Sequence, residues 1–245
     1  MNTKALLLTG LALTLGLSAC KKSEDATAPA DGAPVAAVAA PAGKSWTDIA
    51  AATPEGGMRL GNPNAPIKLV EYGSLSCPHC AKFSQDSSKA LMEKYVGTGK
   101  VSYEFRSFAI HPQDVPLTVL VRCAPAEAFF PMVEQVYANF DALSASTQKG
   151  APALNTVGSL PPDKRFIAIA DALGFTDFFA ARGISTDQAH ACLADTKAAE
   201  RVAAEAQAAG DAGIDSTPTI LVNGTKVQGN TWADVEPVLQ RSGAR

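Results

Sequence analysis

Cys77-Pro78-His79-Cys80 sets two thiols on either side of a dipeptide, where an apolar strand pattern gives way to a helical one. Ile67-Lys68-Leu69-Val70-Glu71-Tyr72, just before it, is β-branched and aromatic enough to form a strand. From Ala81 to Val96, apolar Phe83, Ala90, Leu91 and Val96 give an amphipathic helix. Pro78 then falls on the first helical position, where its missing N–H costs nothing. Cys77 stands at the helix N-terminus, where unpaired N–H groups and the helix dipole stabilise a thiolate. The thiolate is the reactive form of cysteine, so Cys77 is suited to act as nucleophile or leaving group. His79, when protonated, adds positive charge beside it. The pair points to thiol–disulfide redox chemistry.

The elements that must position this pair are legible on both sides of it. Val101 to Phe108 alternates with period two and forms a second strand, so the first half is strand–helix–strand, with parallel pairing and a right-handed crossover. About ninety residues of helical pattern follow: Val115 to Ala124, Phe129 to Leu143, Asp163 to Leu173 and Asp187 to Ala194, separated by Pro- and Gly-bearing loops. An Ala-rich helix from Thr196 to Ala209 is expected to stop at Gly210. Thr219-Ile220-Leu221-Val222 and Thr225-Lys226-Val227-Gln228 then flank Asn223-Gly224, a strong hairpin signal. Trp232 to Gln240 closes the chain as a helix capped by Asn230 or Thr231. The predicted class is α/β: a thioredoxin fold with an α-helical insertion, about 112–196, between the strand–helix–strand half and the hairpin–helix half. There are no internal repeats and no Gly-rich phosphate loop.

With 245 residues, 47% hydrophobic and 18% charged, the chain can hold one globular domain with appendages. A formal net charge of −3 and the absence of any Lys/Arg cluster give no reason to expect nucleic acid. Lys4 followed by the apolar run Ala5 to Ser18 reads as a secretory signal peptide over 1–19, too short for a comfortable membrane span. Leu17-Ser18-Ala19-Cys20 resembles the lipobox of bacterial lipoproteins, which implies a lipidated Cys20; the alternative is an ordinary signal peptide cut after Ala19. Residues 20–44 are mostly Ala, Pro, Asp and Gly with almost no bulky side chain and are expected to be a disordered tether. The folded domain is placed at 45–245. Of five cysteines, assigning Cys20 to lipid leaves Cys77 with Cys80, and Cys123 with Cys192. In an oxidising compartment both pairs can bridge. A Cys123–Cys192 disulfide would close a loop of about 70 residues and stabilise by roughly 4 kcal/mol; two free buried cysteines in separate helices are the other reading. A zinc site fits poorly, because Cys123 and Cys192 are isolated, so no metal is expected.

From about Gly61 to Gln240 the chain resembles the DsbA-like branch of the thioredoxin superfamily. The resemblance is carried by the lead-in Gly61-Asn62-Pro63-Asn64-Ala65-Pro66, by Cys77-Pro78-His79-Cys80, and by Ser216-Thr217-Pro218-Thr219 with Val222-Asn223-Gly224. It implies an exposed, low-pKa Cys77 that exchanges disulfides, a more buried Cys80 that resolves them, and a His79 whose charge stabilises the Cys77 thiolate. It implies a cis Pro218, with the Thr217 backbone turned towards Cys77 to pair with substrate, and a buried Glu71 that helps proton transfer at Cys80. His111 and His190 are read as ordinary loop or helix residues. Leu75 and Ser76 are smaller than the paired aromatics of some strong oxidases, which departs from the usual groove for a quinone-coupled partner. The expected activity is a periplasmic thiol:disulfide oxidoreductase, monomeric and without cofactor, tethered by lipid to the inner or outer membrane of a Gram-negative bacterium. It would act on exported cysteine-containing proteins and be reset by a membrane redox partner. The rivals are a reductase or isomerase with the same site, and a copper chaperone in which Cys77, Cys80 and His79 hold Cu(I).

Overall fold

The computed structural model describes residues 32–245. The signal-peptide reading over 1–19, the lipid site at Cys20 and the first part of the tether lie outside the described residues. Among the described residues six strands form one sheet: β1 (Ala50–Ala52), β2 (Met58–Leu60), β3 (Ile67–Gly73), β4 (Val101–Ser107), β5 (Thr219–Val222) and β6 (Thr225–Lys226), in the order β1-β2-β4-β3-β5-β6. β3 and β4 are parallel, with Glu71 beside Phe105, and are joined by α1 (Pro78–Ala90) and a wider-wound turn over Leu91–Val96. β5 runs antiparallel to β3, with Thr219 beside Tyr72. That register lays the loop before β5 against the residues that follow β3. Asn223 (φ 50°) and Gly224 (φ 80°) make the tight β5–β6 turn, and Asn223 Oδ1 accepts the Lys68 N–H at 2.8 Å.

Between the two halves lie α2 (Asp114–Val121), α3 (Phe129–Ala138), α4 (Phe140–Gly150), α5 (Leu154–Val157), α6 (Pro162–Ala172), α7 (Phe175–Ala180), α8 (Thr186–Ala194) and α9 (Thr196–Asp211). α10 (Trp232–Leu239), capped by Thr231 and Asp234, is followed by a C-terminal turn over Gln240–Ala244. Tyr103 and Phe105, on one face of β4, meet Phe130 and Phe129 of α3. Trp232 of α10 packs edge-on against Phe83 of α1 and against Tyr95. This is the thioredoxin fold with a helical insertion expected from the sequence.

The structure departs from the sequence reading in particular places. The segment expected as one helix from Phe129 to Leu143 breaks at Asn139 (φ −109°, ψ 23°), whose side-chain amide donates to the Gln135 carbonyl at 2.8 Å. α9 runs through Gly210 and stops instead before Gly213, which takes φ 82°. β1, β2 and α7 had no counterpart in the sequence reading. The tether assigned to 20–44 is corrected over residues 32–44, which are docked on the domain. Gly32 N–H donates to the Arg241 carbonyl, Val35 N–H to Gly243 and Val38 N–H to Thr98, while the Trp46 indole donates to the Val38 carbonyl at 2.7 Å. Main-chain hydrogen bonds thus supply the ordering that the small side chains of this stretch cannot.

Candidate active site

The residue before α1 is Cys77, in extended conformation (φ −91°, ψ 123°), with Pro78, His79 and Cys80 as the first three helical residues. Their N–H groups, other than that of Pro78, are the ones an α-helix leaves unpaired. Cys77 and Cys80 are free thiols. The Thr217–Pro218 bond is cis, and the loop it shapes brings the Thr217 carbonyl to 3.4 Å from Cys77 Sγ, which donates to it. The Thr217 hydroxyl is buried with no hydrogen-bond partner. The Thr217 side chain is among the groups that lower the Cys77 thiol.

The two sulfurs are unequal. Cys77 is lowered to about 4, first by the hydrogen bond from Cys80, then, against the opposing effect of burial, by Thr217 and by the backbone N–H groups of Cys80 and His79. Cys80 is raised well above the ordinary thiol value by burial, by its hydrogen bond to Cys77 and by the Glu71 charge. Cys80 is fully enclosed (0% exposed), as expected for the inner sulfur. The expectation of an exposed Cys77 is corrected: only 4% of it meets solvent, because the Thr217 loop closes over it. His79 is exposed at the second position of α1. Its side chain points to solvent, and residue 79 reaches Cys77 through its main-chain N–H.

Glu71 lies beneath the pair, 1% exposed, on the same face of the sheet as Tyr103. Burial lifts its carboxyl to about 7; the Tyr103 hydrogen bond opposes that lift and the Cys77 charge adds to it. Tyr103 Oη donates to Glu71 Oε2 at 2.6 Å, and Oε1 is buried with no hydrogen-bond partner. A carboxyl held near neutrality, with one oxygen unengaged beside a buried thiol, is suited to take up and return a proton. Tyr103 and Tyr137 are themselves pushed well above the ordinary phenol value, first by burial, and both feel the charges of Glu71 and Cys80. Tyr103 escaped the sequence reading, although the period-two alternation of β4 was the signal that put it on this face.

Cys123 and Cys192 form a disulfide between the ends of α2 and α8, with Cα atoms 6.0 Å apart, so of the two readings left open by the sequence the bridged one holds. His190 pairs with Asp171 at 2.9 Å, away from the sulfurs. His111, read as an ordinary loop residue, shares a 2.9 Å hydrogen bond with Ser76, the residue before Cys77. Asp114, which the sequence reading passed over, is buried beside them. Among the described residues, no group of three or more His, Cys, Asp or Glu is placed to hold a metal ion.

Residues 53–241 match the family model described as Thioredoxin. A crystal structure of a protein-disulfide isomerase from Novosphingobium aromaticivorans is 30% identical, covering 76% of this chain and 97% of that one, with a TM-score of 0.71. Alpha-DsbA1 of Wolbachia pipientis shares the fold at 23% identity, over 76% of this chain and 89% of that one, with a TM-score of 0.60. A Rickettsia typhi protein described as a protein-disulfide oxidoreductase is 26% identical over 186 residues, 76% of this chain. The chain spans 61% of that relative's length and 65% of its counterpart in Rickettsia bellii.

Proposed function

The chain belongs to the thioredoxin family, and from that premise we propose that it is a thiol:disulfide oxidoreductase of the DsbA type, donating a Cys77–Cys80 disulfide to exported proteins. The observation that carries the reading is the inequality of the two sulfurs, Cys77 held at about 4 and Cys80 far above it. A substrate thiolate attacks Cys77 Sγ, the Cys77–Cys80 bond breaks, and Cys80 leaves as a thiolate. Cys80 then takes a proton from the Glu71 carboxyl, close at hand and near neutrality. The substrate's second thiolate attacks its own sulfur in the mixed disulfide and expels Cys77, which leaves readily because its thiolate is stable. Two substrate thiols have become a disulfide, and the enzyme disulfide has become a dithiol. A membrane redox partner resets the pair. The Thr217 main chain beside the cis Pro218 pairs with the substrate as a short strand.

The same proposal places the protein outside the cytoplasm, in the periplasm of a Gram-negative bacterium. There it is monomeric and held by lipid at Cys20 after removal of residues 1–19. The Cys123–Cys192 bridge supports an oxidising compartment. Holding Cys77 three units below pH 7 stabilises the dithiol by about 4 kcal/mol relative to an ordinary thiol, which raises the potential by roughly 90 mV. A second reading, an isomerase or reductase that works with Cys77 reduced, follows from the name of the Novosphingobium structure and uses the same two sulfurs. Equilibration of the Cys77–Cys80 pair against glutathione buffers separates the two. A potential near about −120 mV supports the oxidase, and one at about −200 mV or below replaces it with the reductase or isomerase.

A further inference from the structure

Asp114 opens α2 and is completely buried, 0% exposed. A carboxylate is costly to enclose, and apolar packing alone would be better served by an apolar residue. What surrounds it is a set of donors from two loops. Ser74 Oγ donates to both carboxylate oxygens at 2.9 Å, and the Ser76 N–H donates to Oδ1 at 3.0 Å. The N–H groups of Ile110 and His111 both donate to Oδ2 at 3.0 Å. The first two donors belong to the segment joining β3 to the nucleophile, and the other two to the segment joining β4 to α2. Ser74 carries the link onward: its carbonyl accepts the Cys77 N–H at 3.2 Å and the Tyr137 hydroxyl at 3.1 Å. Ser76 is tied a second time, to His111 Nδ1 at 2.9 Å.

We propose that Asp114 is a positioning residue for the nucleophile, fixing residues 74–76 so that Cys77 Sγ stays against the α1 N-terminus and the Thr217 carbonyl. The inference rests on the reading of Cys77 as the exchanging sulfur. Asp114 acts here through geometry rather than through its charge: its four donors tie two loops together, while the charge itself persists and is felt by the Tyr137 hydroxyl. The two routes have opposite signs. A bare negative charge near Cys77 disfavours the thiolate, so deleting it would lower the Cys77 midpoint. Loss of positioning moves the sulfur away from its donors and raises the midpoint. The titratable groups facing the site are Cys80 on α1, Glu71 on β3, Tyr103 on β4, Tyr137 on α3, and His111 with Asp114 across the Ser76 link.

The test is Asp114→Asn in the full chain. An amide keeps one acceptor oxygen and turns an NH2 group towards N–H donors that need an acceptor. Iodoacetamide alkylation of Cys77 is followed from pH 3 to pH 9, resolved from the other cysteines by peptide mass. The expected result is a midpoint moved upward, with alkylation at pH 4 at least threefold slower than in the parent and an unchanged plateau at high pH. Ser74→Ala, which removes the hydroxyl and leaves the three N–H contacts, is expected to move the midpoint in the same direction by less. A folded Asp114→Asn protein with the parent's profile, or one moved downward, overturns the proposal. If Asp114→Asn does not fold, an unmoved midpoint in Ser74→Ala overturns it. In the parent protein, Cys77 reacting no more readily than Cys80 at acid pH would instead overturn the redox reading itself.

Discussion

Replacing Glu71 by Gln is expected to make the protein more stable and less active. The buried carboxyl sits at about 7 in the fold, against an ordinary value of 4.5 in the unfolded chain. Folding therefore binds a proton between these values, and stability from Glu71 is present below pH 4.5 and lost as pH rises to 7. A difference of 2.5 units corresponds to about 3 kcal/mol. Cys77 works in the opposite direction in the dithiol, gaining stability as pH rises above about 4, so the comparison belongs in the disulfide form, where neither sulfur titrates. There the Cys77 charge no longer adds to the Glu71 shift, and about 2–3 kcal/mol is expected. The assay is urea unfolding of the oxidised parent and Glu71→Gln proteins from pH 4 to pH 8. The difference between them should be small and flat near pH 4 and grow in favour of Glu71→Gln towards pH 8. Any unpaired amide hydrogen adds an offset that does not vary with pH, so the slope carries the result. A difference that is constant across this range, or that favours the parent at pH 8, refutes the assignment of a strained, half-protonated carboxyl. Steps in which Cys80 must lose its proton should slow in the same variant.

Other consequences are open to direct measurement. Replacing Cys123 and Cys192 together by Ser opens a link between residues 69 apart and should cost roughly 4 kcal/mol, a fall in melting temperature on the order of 10 °C, with Cys77 alkylation unaltered. His79→Ala should change the Cys77 alkylation rate at pH 5 by less than about threefold, since residue 79 acts through its N–H; a tenfold loss would restore the imidazole to the role the sequence suggested. Tyr103→Phe removes the hydrogen bond that favours ionised Glu71, so the carboxyl should titrate above about 7. Resolution of a preformed mixed disulfide by Cys80 should then show its pH midpoint moved upward, and an unmoved midpoint would separate Glu71 from that step.

The core of the site was legible because its signals are local. A strand ending before Cys77, Pro78 opening a helix and Asn223-Gly224 turning a hairpin each depend on a few neighbouring residues, and the structure has all three. Asp114 was not legible, because its partners Ser74 and Ser76 lie 40 and 38 residues away and only the folded chain brings them together. Residues 32–44 were misread because their composition records only side-chain burial, whereas their ordering comes from backbone groups paired with the C-terminal turn and the Thr98 carbonyl.

The near-closure of Cys77 bears on which clients the enzyme can hold. With 4% of the residue exposed and the Thr217 carbonyl 3.4 Å from Sγ, only a narrow, extended stretch of polypeptide can bring its own sulfur into contact. A cysteine already packed into a folded surface has no such stretch to offer. Under the proposed activity, the entrance therefore works as a conformational turnstile. Unfolded chains are admitted and completed ones turned away, while release still waits for the client's second thiolate to expel Cys77 from the mixed disulfide.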